Sequence, residues 1–248
     1  MSFRHGSAIM RKDEMERGDY MVGRKGLPQE ALKMIACVTM LIDHIGAVFV
    51  PGYGLRIIGR IAFPIYCFLL AEGMARTRNV KRYGIRLAIG AALSELPYEL
   101  LFYGSVSLGY QSVMVTLLIG YLMILWMRKT VMMKFIPVIV CVFAAELLGT
   151  DYGGMGVAMI ALFALTRERP DRLWLQVFTC AALCWIIGGA GWQVGPVYVP
   201  LQIFGVLAMV PIALYSGGKA TNSKAIQWVF YLFYPVHLAV LLVIAWLI

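Results

Sequence analysis

From residue 31 to the last, apolar stretches long enough to reach across a lipid hydrocarbon core alternate with short polar, glycine- or proline-marked breaks. Windows of about 20 apolar residues fall at 34–50, 57–75, 83–103, 111–127, 132–149, 153–166, 173–190, 197–215 and 226–247. The breaks carry Pro51-Gly52, Gly104, Gly153-Gly154, Pro170, Gly188-Gly189 and Gly217-Gly218, residues that punctuate helices. The pattern predicts an all-α protein, a polytopic integral membrane helical bundle of about nine transmembrane helices. One membrane domain is expected over 31–248. The sixth window is the shortest, so it is expected to tilt little, re-enter, or borrow its ends from the flanking turns. Residues 1–30 break the pattern: they are polar, of mixed charge and glycine-containing, and lack the profile of a secretory signal peptide.

Composition agrees with the pattern. Of 248 residues, 61% are hydrophobic and 14% charged, whereas soluble domains carry roughly a quarter charged residues. Mean hydropathy is +0.78. Charge then orients the chain. Seven Lys/Arg precede or include Lys33; Arg76, Arg78, Lys81, Arg82 and Arg86 follow the second window, and Arg128, Lys129 and Lys134 follow the fourth. Arg167, Arg169 and Arg172 follow the sixth, and Lys219 and Lys224 the eighth. Only Arg56 and Arg60 fall on the opposite side, so 20 of the 22 basic residues share one face. The positive-inside rule makes that face cytoplasmic, with the amino end in and the carboxyl end out, and residues 1–30 a basic cytoplasmic tail. The net charge of +9 is thereby explained by anionic lipid and cytoplasm, with no nucleic-acid partner.

Acidic and basic groups inside the windows are the candidate chemistry, because each costs several kcal/mol unless partnered. Asp43 and His44 are the only such residues between Met34 and Val50. At about 1.5 Å per residue, His44 lies near mid-membrane, with Glu95 and His237 at similar depth on other helices. Asp43, Glu99, Glu146 and Asp151 continue outward, as do Arg56, Arg60, Tyr98, Tyr110, Gln111, Gln193, Tyr198 and Gln202. Each also has a plain structural reading. Glu72, four residues before Arg76, fits an ordinary interfacial ion pair. Glu95 and Glu99 share a helix face as like charges, so they need a proton or a cation such as Arg60. Asp43 and His44 are about 100° apart and cannot pair with each other. His237 follows Pro235, whose ring frees a carbonyl that a histidine side chain can bond. Pro64, Pro97 and Pro235 fall in the windows of Arg60, Glu95 and His237, and broken helices around polar groups suit an enzyme cavity or a transport site alike.

Other chemistry has no support. Cys37, Cys67, Cys141, Cys180 and Cys184 all lie in apolar windows without metal-ligand spacing, and read as small buried hydrophobes; no metal is expected. P-loop, GxSxG and HExxH patterns do not occur, which leaves ATP-driven work, serine hydrolysis and zinc proteolysis without a motif.

Several segments together carry a family resemblance: Leu32-Lys33-Met34-Ile35, Ile42-Asp43-His44-Ile45-Gly46 and Leu55-Arg56-Ile57-Ile58-Gly59-Arg60-Ile61-Ala62-Phe63-Pro64. Further along are Glu72-Gly73, Arg76-Thr77-Arg78-Asn79-Val80, Ser94-Glu95-Leu96-Pro97-Tyr98-Glu99, Thr116-Leu117-Leu118-Ile119-Gly120, Asp151-Tyr152-Gly153 and Phe230-Tyr231-Leu232-Phe233-Tyr234-Pro235-Val236-His237. In these the chain resembles the TraX family of membrane proteins, typified by a conjugal-transfer protein associated with N-terminal acetylation of pilin. Relatives often carry Asp where this chain has Glu99, so an acid is kept. The resemblance implies a fold related to membrane-embedded acyltransferases, in the bacterial cytoplasmic (inner) membrane, with acetyl-CoA as acyl donor. On that expectation His44 is a general base, Asp43 or Glu95 orients or charge-balances it, Arg60 or a neighbouring amide stabilises the oxyanion, and His237 belongs to the same catalytic group. Arg76, Arg78, Lys81 and Arg82 are the expected binders of the coenzyme phosphates, and Tyr98, Glu99, Gln111 and Asp151 of the acceptor. The acceptor is a membrane-protein amino terminus, a lipid, a glycan or a small amine. A proton-coupled transporter or flippase using the same acids and histidines is the competing expectation.

Overall fold

The computed structural model describes residues 26–107, 109–130, 133–218, 220–221 and 223–248, without the Lys224 side chain. Most of the expected basic tail, and Lys219, therefore lie outside the described residues.

Helices account for most of these residues. Pro28, in extended conformation, precedes α1 (Gln29–Val48). Next come α2 (Gly54–Gly59) and α3 (Ala62–Arg76), a single span interrupted at Arg60-Ile61. Pro64 stands in the first turn of α3, where a missing N–H costs little, and it leaves the Arg60 carbonyl without its usual intrahelical donor. The Asn79 side chain caps α4 (Val80–Tyr103) by accepting from the Arg82 N–H at 2.9 Å. Left-handed Gly104 ends that helix. Then follow α5 (Val113–Met127), α6 (Phe135–Leu147), α7 (Gly153–Thr166) and α8 (Arg172–Ile187). An antiparallel hairpin of β1 (Gly191–Val194) and β2 (Val197–Pro200) pairs Gln193 with Tyr198. A 3-10 segment, Leu201–Ala208, runs into α9 (Met209–Ala213), and α10 (Lys224–Leu247) ends the chain.

The hairpin corrects the all-α expectation. Hydropathy makes residues 197–200 the start of the eighth window, but Val-Tyr-Val is β-branched and aromatic and follows a Gly195-Pro196 turn. Average hydropathy does not distinguish such a strand from a helix. Among the described residues, three helices are long and apolar enough to cross a membrane: Gln29–Val48, Gly54–Arg76 and Ala225–Leu247. Five shorter apolar helices, Val113–Met127, Phe135–Leu147, Gly153–Thr166, Arg172–Ile187 and Leu201–Ala213, accompany them. The 24-residue α4 is long, but Lys81, Arg82, Arg86, Glu95 and Glu99 reduce its apolar character.

Helix α7 is the centre of the bundle, packed against α3, α5, α6 and α8, with Val157, Met159, Ile160 and Phe163 buried. The outer surface is equally apolar. Phe143 is 65% exposed, Phe178 70% and Leu147 86%, an apolar surface that water does not tolerate on this scale and lipid does. The protein is a membrane protein.

The chain segments bearing basic residues meet at one end of the bundle. Arg76 binds the Gly217 carbonyl, Arg128 the Met74 carbonyl, Arg167 binds Glu72 at 2.9 Å, and the Ala220 N–H reaches Glu30 at 2.6 Å.

Candidate functional site

The site lies toward the other end, where α1 meets α2 on one flank and α10 on the other. Asp43 and His44 are consecutive, so helix geometry sends them to different neighbours. Asp43 turns to the α2–α3 junction, pairing with Arg60 Nη2 and, at 3.3 Å, with Arg56 Nε. Arg56 and Arg60 are one helical turn apart on α2, and the carboxylate between them offsets their repulsion. Arg60 is fully engaged: its Nη1 donates to Gln202 Oε1 at 3.2 Å and its Nε to the Arg56 carbonyl at 3.3 Å. The close approach requires Gly59, because an added Cβ there would overlap the Asp43 side chain.

His44 turns instead to α10. Its Nδ1 lies 2.7 Å from His237 Nε2, with the rings 7° from coplanar. His237 Nδ1 is 2.8 Å from the Phe233 carbonyl, which only accepts, so His237 Nδ1 donates there. Neutral His237 then has an accepting Nε2, and His44 donates to it from Nδ1. The remaining nitrogen, His44 Nε2, carries a lone pair. The carbonyl that fixes this chain belongs to Phe233, one turn before the histidine, and not to Tyr231, which Pro235 deprives of its donor.

Asp43, His44, Arg56 and Arg60 line a cavity of about 280 Å³, together with Tyr66, Tyr98, Asp151 and Tyr152. Tyr98 and Asp151 both face it, and Tyr152 stacks on Phe63 with ring centroids 3.5 Å apart. Its two carboxylates and two guanidinium groups balance in formal charge. His237 stands behind His44 in the wall.

Glu95, Glu99 and Gln111 lie outside this cavity, and Arg60, named beside a proton as an answer to the two glutamates, pairs with Asp43 instead. Glu95 accepts from Ser112 Oγ at 2.5 Å and from the Ser112 N–H at 3.2 Å, at the start of α5. Glu99 accepts from the Ser107 N–H at 3.0 Å. Gly104 turns the chain back over α4, delivering these N–H groups to the carboxylates. Glu146 likewise accepts from the Gly154 N–H at 2.8 Å. The Gln111 backbone bonds Gly149 and Asp151, which places Asp151 at the cavity.

A second, apolar cavity of about 120 Å³ lies between α1, α3, α4, α5 and α10. Met40, Tyr66 and Val113 line both cavities and form the partition between them. Tyr66 Oη is 3.3 Å from Cys37 Sγ. At the basic end this second cavity reaches Gln29, Lys33 and Tyr83. Lys33 lies over the Phe230 ring at 5.3 Å and Arg86 over Tyr231 at 5.4 Å.

The expected phosphate-binding group is only partly assembled. Arg76 is held by Glu72 at 2.9 Å, by Gly217 and over the Tyr215 ring. Arg78, Lys81 and Arg82 are exposed around the start of α4 and line neither cavity. Sequence reasoning passed over Lys33, Tyr66 and Tyr152 and gave Arg56 no role. For Arg56 a signal existed: two arginines four residues apart in an apolar span imply a buried carboxylate nearby.

A polar cavity with a directed histidine pair, walled by apolar helices, is the candidate site of this membrane protein. A family model described as TraX protein matches residues 28–245, and the chain belongs to the TraX family. It is 29% identical over 234 residues to a probable fimbrial assembly protein, FimC, serogroup H1, of Dichelobacter nodosus; the match covers 85% of this chain and 92% of that one. It is 24% identical over 157 residues to an uncharacterized protein of Rickettsia prowazekii (strain Madrid E), covering 60% of each. No solved structure matches.

Proposed function

We propose that the protein is a membrane-embedded acyltransferase that moves an acetyl group from cytoplasmic acetyl-CoA to an amine at the outer half of the bilayer. The observation that carries this reading is the chain from the Phe233 carbonyl through His237 to His44, which leaves His44 Nε2 as a base beside a polar cavity. The acceptor amine attacks the thioester carbonyl, forming a C–N bond. His44 Nε2 takes the amine proton and returns it to the departing thiolate as the C–S bond breaks. Arg56, half-buried in the cavity wall, stabilises the oxyanion, while Arg60 holds Asp43 in place. The two-cavity arrangement supports this division of labour. The acyl thioester occupies the apolar cavity, with Lys33 and Arg86 near the coenzyme phosphates, and the acceptor occupies the polar one beyond Tyr66.

The topology belongs to the same proposal: a multi-pass protein of the bacterial inner membrane, nine spans, amino end in and carboxyl end out. Exposed Trp126, Trp174 and Trp228, near the basic ends of α5, α8 and α10, fit an aromatic belt at the cytoplasmic interface. The acceptor of first choice is the N-terminal amine of a membrane-inserted pilin-like subunit, given the fimbrial assembly role in the name of the Dichelobacter relative. The bonding of Glu95, Glu99 and Glu146 to backbone N–H groups favours transfer over proton transport, because a relay needs acids free to exchange protons.

The test is coenzyme A release from acetyl-CoA by purified protein in nanodiscs, with a pilin-type peptide, a lipid amine and a small amine as acceptors. Acceptor-dependent release that His44→Ala abolishes, in a variant of unchanged thermal stability, is expected. Full turnover in His44→Ala would overturn the assignment. No turnover with any acceptor, combined with pH-driven flux in vesicles, would replace transfer with transport.

A further inference from the structure

A third cavity, of about 440 Å³, lies at the basic end, away from the site above. Its floor is apolar, built from Ala71 and Ala75 of α3, Ile124 and Met127 of α5, and Ala164 and Leu165 of α7. Its rim holds four cations, Arg128, Lys134, Arg167 and Arg169, from the segments after α5, before α6 and after α7. Glu168 is the acid on the same rim. Two of the four cations already have carboxylate partners. Arg167 binds Glu72 at 2.9 Å and Glu168 at 3.0 Å, and Arg169 binds Asp171 at 2.9 Å. Arg128 and Lys134 supply the positive excess, Arg128 being fixed by Nη2 to the Met74 carbonyl.

We propose that this cavity binds the phosphodiester headgroup of an anionic phospholipid. A phosphate between Arg128 and Lys134 meets two cations, while the apolar floor takes the glycerol and the first methylenes. A free phosphate has no use for that floor. The surroundings are lipid-like as well: Met133, Phe135 and Ile136, on either side of Lys134, are 60%, 73% and 45% exposed, and Leu165 is part of the floor itself. A basic pocket between membrane helices on the cytoplasmic side, bordered by exposed apolar side chains, suits a lipid headgroup held in its own leaflet. The site is separate from the histidine pair; it rests on the proposed topology but not on acyl transfer.

The full chain, purified in detergent and titrated with phosphatidylglycerol or phosphatidylcholine of matched chains, tests this by native mass spectrometry. Preferential retention of phosphatidylglycerol is expected, falling at least about tenfold in Arg128→Gln/Lys134→Gln, since each cation near an anionic headgroup contributes about 1 kcal/mol. The control Arg78→Gln/Lys81→Gln, which removes the same charge at the same end, should retain the lipid. An unchanged thermal unfolding midpoint in lipid-free detergent shows that the double variant is folded. Equal loss in both double variants, or equal retention of the two lipids, overturns the proposal. If inorganic phosphate displaces the lipid at comparable concentration, a soluble phosphate is the ligand and the headgroup assignment fails.

Discussion

Replacing His237 with phenylalanine preserves an aromatic ring against Phe233 and Tyr234, whose centroids lie 4.9 and 5.4 Å away, while removing the Nδ1 donor to the Phe233 carbonyl and, with greater consequence, the acceptor Nε2. The lost acceptor is the partner of His44 Nδ1. A buried N–H left without an acceptor costs about 1–3 kcal/mol, and His44 can recover it only by turning its ring or moving its proton to Nε2. Either change removes the lone pair from the position a base needs. At 1.36 kcal/mol per factor of ten, the acetyl-transfer rate should fall about 10- to 100-fold. The assay is single-turnover coenzyme A release in nanodiscs, with acetyl-CoA and acceptor both saturating, so that the rate reports the chemical step. His237→Gln, whose amide oxygen can accept from His44 Nδ1, should regain part of the loss; a purely packing role would give no such rescue. If His237→Phe keeps the full rate while His44→Phe loses it, the histidine pair does not set the tautomer.

Three further outcomes follow from the geometry. Asp43→Asn leaves Arg60 without its buried counter-charge and should destabilise the protein by about 3–5 kcal/mol, read as a lowered unfolding midpoint; Asp43→Asn combined with Arg60→Gln should cost less than the two separate losses added together. Glu95→Gln weakens the bond to Ser112 at the start of α5 and should cost about 1 kcal/mol while leaving the transfer rate within about twofold, whereas a proton relay through Glu95 predicts its loss. Lys33→Gln/Arg86→Gln should raise the KM for acetyl-CoA about tenfold with little change in kcat; a fall in kcat alone would detach these residues from donor binding.

How legible the molecule was in its sequence depended on the range of the interaction. The gathering of basic segments at one end follows from charge alternation along the chain, and Glu72 meets Arg76 one helical turn away as the spacing implies. His44 and His237 are 193 residues apart, and depth along the spans sets them at one level without pairing them. Depth does not give rotation, however. Glu95 sits at a similar level, yet its face of α4 turns toward the loop before α5, where a serine N–H and hydroxyl take up the carboxylate. Spacing pairs Arg76 with Glu72 but gives no sign of its further contacts with Gly217 and Tyr215, which set it apart from Arg78, Lys81 and Arg82. Hydropathy also ran together strand and helix in residues 197–215, because it records how apolar a residue is and not which backbone form its neighbours support.

In the proposed nine-span topology the short, lipid-facing helices α6 and α8 have a consequence for the lipid itself. They contain 13 and 16 residues and rise only about 20–24 Å, against a hydrocarbon core of about 30 Å. On the flank they form, acyl chains must compress or tilt to follow the protein, at a fraction of a kcal/mol per ångström of mismatch. On that topology the bilayer is dimpled beside them and of ordinary depth beside the long α1 and α10. A membrane of uneven depth around one molecule draws neighbours of similar profile toward its shallow side, since a shared dimple deforms less lipid than two separate ones.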